Sequence, residues 1–247
     1  RQAFNTENLN SLSCVASSMA MISLKPEPIP DMTSVYLQNA DMEQGVKCWV
    51  SEGDRPLIWN TKNPNRQVGF HGMSQGVLEA WNGNANLPLG NSCTMQQIGN
   101  LPNGTYVFGA YAAAAKQHNR NDICERNAEG GHILVENAKG DKVHQYSDWW
   151  SNRDSIYGVV LFANDDTVRV ATDNPDMNER GVLWAHSSKF NVAVTLTDAD
   201  EKKGYMDVGM RVSGTNANYI VWDNATLYYF GNKSKEEALD AMAEIDM

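Results

Sequence analysis

No run of apolar residues in this 247-residue chain approaches the roughly 18–20 that a membrane-spanning helix needs, so a spanning segment is excluded. No cluster of Lys and Arg occurs either. Acidic residues outnumber basic ones 30 to 20, and the formal charge of −10 repels a phosphate backbone, so nucleic acid drops out as an expected partner. Cysteine is scarce. Cys14, Cys48, Cys93 and Cys124 stand far apart with no Cys-x-x-Cys pair, which argues against a zinc ribbon or a thioredoxin-type site. Four cysteines allow three pairings, and the sequence does not choose among them. A domain of this size needs no disulfide, so buried free thiols are expected. The histidines His71, His118, His132, His144 and His186 form neither His-x-His nor His-Glu-x-x-His, which leaves zinc geometry without support.

What is present is a core-forming composition, 42% hydrophobic and 20% charged, arranged as short apolar runs between Gly-, Asn- and Asp-rich turns. Leu12 to Leu24 is charge-free and has the length of a signal-peptide core. Its flank is wrong, with only Arg1 basic and Glu7 between, so it reads as an arm or extra strand packed on the domain. Any true signal is expected to have been removed ahead of Arg1. Pro26, Pro28 and Pro30 alternate in a stiff linker that cannot be helical. Strands are predicted from Thr105 to Tyr111, with Tyr106 and Phe108 on one face and Val107 on the other, and at 132–136, 143–146, 157–163, 168–172, 190–196, 205–212 and 219–229. Regularly spaced strands of this kind imply a β-sandwich or barrel. One helix is predicted at the C-terminus. Ser234 and Glu237 form a capping box, and Ala238, Leu239, Met242 and Ile245 follow on one face. The expected organisation is an arm and linker over 1–30, a sandwich over 31–231 and a helix over 232–247.

The chemistry-bearing motifs are weak. Gly72-Met73-Ser74-Gln75-Gly76 has the G-x-S-x-G form, but a nucleophile elbow needs a strand before it, a helix after it and a parallel α/β sheet around both. In a strand-and-turn chain Ser74 is expected not to be a nucleophile, and Ser74→Ala to leave any activity intact. Glycosidase carboxylates need not be close in sequence, and Glu79, Glu136 and Asp148 are too ordinary to select.

Two stretches say more. Asp31 to Glu43, followed by Trp49, and Ala217 to Gly231 with Trp222-Asp223-Asn224 and Tyr228-Tyr229-Phe230, resemble the first and last strands of galactose-binding-like, carbohydrate-binding-module-like β-sandwich domains of secreted proteins from glycan-foraging bacteria. Leu78 to Asn82, Gln96 to Tyr106 and Gly158 to Asn164 look like internal strands of that family, while Met42 and Cys48 depart from its pattern. The resemblance implies an all-β jelly-roll sandwich and non-catalytic glycan binding, secreted, periplasmic or at the cell surface. Its alternatives are a glycan-active hydrolase and a protein-interaction or scaffolding domain without a sugar site. It also implies a structural calcium, with Glu43 and Asp223 as carboxylates and Asn39 as a third ligand. The expected sugar platform is the segment Asp148-Trp149-Trp150, because adjacent tryptophans in extended chain cannot both face inward. Arg153 would add a polar contact there, and His118, Arg120 and Asn121 a facing loop.

Overall fold

Alternation of side chains in and out of a core builds the described residues of this protein mainly into strands. The computed structural model describes residues 29–54, 58–61, 76–82, 87–115, 134–136, 142–144, 156–171, 188–200 and 204–246. In chain order these form α1 (Thr33–Tyr36), β1 (Val50–Gly53), β2 (Ile58–Thr61), β3 (Gly76–Trp81), β4 (Ser92–Gly99), β5 (Gly104–Ala115), β6 (Leu134–Glu136) and β7 (Lys142–His144). There follow β8 (Val159–Ala163), β9 (Asp166–Arg169), β10 (Ser188–Leu196), β11 (Tyr205–Val212), β12 (Tyr219–Tyr229) and α2 (Lys235–Ile245). The chain divides after Pro30, and Asp31–Met247 is the unit that carries all of these elements. The expected arm over Leu12–Leu24 lies outside the described residues.

Two five-stranded sheets face each other, one ordered β10-β5-β12-β3-β2 and the other β1-β4-β11-β8-β9. The β6–β7 hairpin pairs Glu136 with Lys142, as the turn residues between them predict. Every strand pairing is antiparallel. The chain crosses from one sheet to the other between β1 and β2, β3 and β4, β4 and β5, β9 and β10, β10 and β11, and β11 and β12, which is jelly-roll winding. The expected all-β jelly-roll sandwich is therefore what the chain forms. Tyr106 and Phe108 enter the core with Met206, Met210, Ile220 and Trp222, and Val107 takes the opposite face of β5. Trp222, fully buried, meets Trp49 edge-to-face with ring centroids 4.9 Å apart, a contact worth about 0.5–1.5 kcal/mol beyond its buried area.

The expected first strand over 31–43 is not a strand. Asp31 makes one bridge to Tyr228, and its Oδ1 accepts from the Thr33 N–H at 2.9 Å, which starts the single helical turn of α1. Beyond it Asn39, Met42 and Cys48 all have positive φ, outside the extended region of regular strands. The segment acts as a clasp between the sheets. On one side Met32, Thr33 and Ala40 hydrogen-bond the backbone of β12 at Leu227 and Ala225, beyond its pairing with β3 and past a bulge between Asp223 and Thr226. On the other, the buried Gln96 of β4 exchanges two hydrogen bonds with the backbone of Gln38.

The capping box at Ser234 is present in both directions. Helix α2 packs on β10 and β5 and buries Ala238 and Met242, while Leu239 and Ile245 stay partly exposed, so the apolar face is narrower than the spacing predicts. Its ends are tied down as well. Lys235 pairs with Asp166 of β9 at 2.6 Å, and Asp246 holds Lys189 and Asn191 of β10, each at 2.8 Å.

Candidate functional site

The outward side chains of β4, β11 and β8 make an open polar face whose geometry follows from register. Gly99 stands opposite Tyr205 and Gln97 opposite Asp207, while Gly209 lies between Met95 and Phe162 and Arg211 between Cys93 and Val160. Alternation sends the intervening Met206, Val208, Met210 and Val212 into the core. Gly209 leaves the middle of this face hollow. A Cβ there would lie 2.1 Å from the Thr94 carbonyl oxygen, so the close approach of the two strands demands glycine. Tyr205 lies over Gly99 at one end and is 48% exposed. Beside it the Gln97 amide donates to Asp207 Oδ1 at 3.0 Å. At the other end the exposed Arg211 guanidinium sits 4.8 Å over the Phe162 ring.

From this face a groove of about 700 Å³ passes the two-residue β8–β9 turn, Asn164-Asp165, and reaches the turn after β10 and the first residue of α2. Asn164 has a φ of 53°, and its Oδ1 accepts from the Asp207 N–H at 3.0 Å, which fixes the turn against β11. Within the groove Asp166 is bound by Lys235, and Asp200 accepts from the backbone N–H and hydroxyl of Thr197. Burial pushes the Cys93 thiol up. Arg211 pulls it down, but Glu52 and Asp207 push with the burial, so the thiol stays protonated at neutral pH. The face presents an aromatic ring and a carboxamide in Tyr205 and Gln97, and the groove beside it carboxylates and a guanidinium, with its cysteine protonated.

Of the expected calcium ligands, Glu43 and Asn39 lie in the loop after α1 and Asp223 on β12. Glu43 Oε1 accepts from the Gly76 N–H at 2.8 Å, and the fully buried Asp223 accepts from the Asn224 N–H at 2.7 Å. The Asn39 side chain is committed to its own loop. Its amide donates to the carbonyls of Gly45 and Lys47 at 2.8 and 2.9 Å, its oxygen accepts from the Gln44 N–H, and its backbone carbonyl takes the Trp49 indole. Asn39 is spent within its own loop, so a cation held by Glu43 and Asp223 would have to take the rest of the six to eight oxygens that calcium needs from backbone carbonyls. Among the described residues no three His, Cys, Asp or Glu side chains stand together as a metal site.

No family model matches the chain, and no curated protein matches it. Solved structures match it at low identity. A CBM61 structure in complex with β-1,4-galactotriose matches at 14% identity and a TM-score of 0.42, over 79% of this chain and 98% of that one. A Stig cyclase from Fischerella sp. TAU matches at 10% identity and a TM-score of 0.44, over 83% and 98% of the two chains. The tandem CBM22 domains of Paenibacillus barcinonensis Xyn10C match at 8% identity and a TM-score of 0.38, over 81% of this chain and 47% of theirs. No residue role is carried from these proteins to this one.

Asp148, Trp149, Trp150, Arg153, His118, Arg120 and Asn121, the expected sugar platform, lie outside the described residues, as does Ser74. Gly76, the last residue of the G-x-S-x-G string, opens strand β3, so no helix follows the serine as a nucleophile elbow requires. Glu79 is buried and accepts from the Tyr219 hydroxyl at 3.2 Å. Of the described cysteines, Cys48 and Cys93 are free but not buried: Cys48 sits exposed in the turn before β1, and Cys93 is half-buried in the groove. Sequence reasoning placed β11 correctly but missed Tyr205, Asp207 and Arg211 as a set. The signal was there in Tyr-Met-Asp-Val-Gly-Met-Arg-Val, where every second residue is polar, aromatic or glycine.

Proposed function

We propose that this sandwich is a non-catalytic carbohydrate-binding module working outside the cytoplasm, and that it takes a glycan along the outer face of β4, β11 and β8. The observation that carries the reading is the half-exposed Tyr205 beside the Gln97–Asp207 pair, on a face that also presents Arg211. A sugar ring offers an apolar C–H face that stacks on an aromatic ring, while its hydroxyls need donors and acceptors at the ring edge. Both are supplied here without a further fold element. The protonated Cys93 and the partnered Asp166, Asp200 and Asp207 favour holding a ligand over attacking one. The extracytoplasmic setting rests on the sequence resemblance.

The test is glycan-array binding followed by affinity electrophoresis on the best polysaccharide. Tyr205→Ala should lower retention at least tenfold while melting within a few degrees of wild type. If it binds like wild type and Trp149→Ala or Trp150→Ala loses binding, the platform is the loop expected from sequence. A structural calcium held by Glu43 and Asp223 belongs to the same proposal. A ligand that binds only the native state raises its stability, so excess EDTA should lower the melting temperature, and calcium should restore it. An unchanged melting curve removes the metal.

A further inference from the structure

The groove carries more negative than positive groups. Asp165, Asp166, Asp200 and Asp207 line it against Arg211 and Lys235. The two cations are not equally available to a ligand. Lys235 is held by both oxygens of Asp166, at 2.7 and 2.6 Å, and Arg211 lies over the Phe162 ring. Asp165 is exposed at the tip of the β8–β9 turn and lines the groove. Glu52 adds a further carboxylate on the same face, in register with Cys93 and through it with Arg211. The whole chain reinforces this sign with its formal charge of −10. A groove lined with one sign of charge concentrates ligands of the opposite sign and excludes those of its own, and a repulsive element sets specificity as much as an attractive one does.

Resting on the glycan-binding reading above, we infer that the groove selects its glycan by charge: it prefers amino sugars carrying a protonated amine and rejects uronic-acid or sulfated chains. Arg211 does not reverse this. It is one guanidinium against four lining carboxylates, and the acidic Asp207 and Glu52 share its face. A single exposed ion pair changes affinity by roughly 1.4- to 5-fold. A lining with two carboxylates in excess should therefore separate a polycationic from a polyanionic oligosaccharide of equal length by about tenfold.

The experiment measures binding of three hexasaccharides to the full chain by isothermal titration calorimetry at pH 5.5, in about 50 mM and 500 mM salt. The probes are glucosamine hexamer, its N-acetylated neutral counterpart and a galacturonic acid hexamer. Asp165→Lys is tested beside wild type. The expected order is glucosamine, then N-acetylglucosamine, then galacturonate, with the spread compressed at high salt because screening acts on exposed charges. Asp165→Lys should shrink the preference several-fold, while its melting temperature stays near wild type. Galacturonate binding as tightly as glucosamine, or a spread insensitive to both salt and Asp165→Lys, overturns the charge inference and leaves the glycan reading standing. Binding of none of the three, together with an empty glycan array, removes the glycan reading and this inference with it.

Discussion

Asn39 offers the sharpest test of how the clasp between the sheets is held. Its side chain makes three hydrogen bonds, two as donor to the carbonyls of Gly45 and Lys47 and one as acceptor from the Gln44 N–H. Its backbone sits at a φ of 50°. Each hydrogen bond contributes about 0.5–1.5 kcal/mol net, and two of the three lie where water replaces a lost partner, so the lower end applies and their sum is about 2 kcal/mol. The left-handed backbone adds a separate cost of roughly 1–2 kcal/mol for alanine, which asparagine tolerates better and glycine does not incur. Asn39→Ala should thus destabilise by about 3–4 kcal/mol and Asn39→Gly by about 2 kcal/mol. In a domain of this size each kcal/mol moves the melting temperature by about 2–4 °C, so the alanine variant should melt roughly 6–16 °C low and the glycine variant about half as far. Tryptophan fluorescence reads the event directly, because the Trp49 indole donates to the Asn39 carbonyl and packs on Trp222. Both variants melting within about 1 °C of wild type, or alanine melting above glycine, would refute the reasoning.

Three further outcomes follow from the same geometry. Gly209→Ala should force β4 and β11 apart, because the new Cβ meets backbone at Thr94 and Met95 and not a side chain that can swing away; overpacking of this kind costs about 1–3 kcal/mol, so an unshifted denaturation midpoint would contradict it. Ser234→Ala should cost about 1 kcal/mol in urea melts by removing the α2 cap, and Ser234→Asp should recover most of it. Alkaline pH should destabilise the fold. Burial raises the Tyr106 hydroxyl, which donates to the Pro102 carbonyl at 2.7 Å, and burial raises Tyr228 as well. The native state therefore keeps protons that the unfolded chain releases, and stability that is complete below about pH 10 falls as pH rises beyond it. Tyr106→Phe should flatten that fall, and an equally steep profile in the variant would count against the assignment.

The strands were legible because their signal is local. β11 and β12 occupy the spans their alternation predicts, 205–212 and 219–229, and the Ser234–Glu237 pair marks the start of α2 at the residue. The segment 31–43 was misread because its conformation depends on partners far away. Gln38 is held by Gln96, Glu43 by Gly76, and Leu227 by Thr33, and nothing in the local pattern announces those pairings. The groove was hidden for a related reason. Tyr205, Asp207 and Arg211 are visibly on one side of β11, but only the order β4-β11-β8 sets them beside Gln97 and Phe162, and strand order across sheets is a long-range property.

A sandwich needs only its two inner faces buried, so the outer faces show what else the sequence does. On the β5 sheet the outer face is closed: Val107, Ala113, Ala193 and Val221 are buried there, and α2 lies over β10 and β5. The β11 sheet is built the opposite way. Its outward residues on β4 and β11 include Gln97, Tyr205, Asp207 and Arg211, and Gly209 removes the side chain that would fill the middle. Apolar residues at those positions would need a covering element, and polar residues scattered without order would leave no groove. Here Gln97 orients Asp207, Asn164 fixes the turn beside it, and Phe162 supports Arg211 from below. Side chains positioned by one another on an open face lose little freedom when a ligand arrives, which lowers the entropic cost of binding. That pre-arrangement is the physical ground for placing the ligand on this sheet, and it makes Gln97→Ala informative. With its carboxamide partner gone, Asp207 loses one of the contacts that orient it, and glycan affinity should fall several-fold with no change in melting temperature, since an exposed hydrogen bond contributes little to the fold. Unchanged affinity in Gln97→Ala would show that the ligand is held elsewhere.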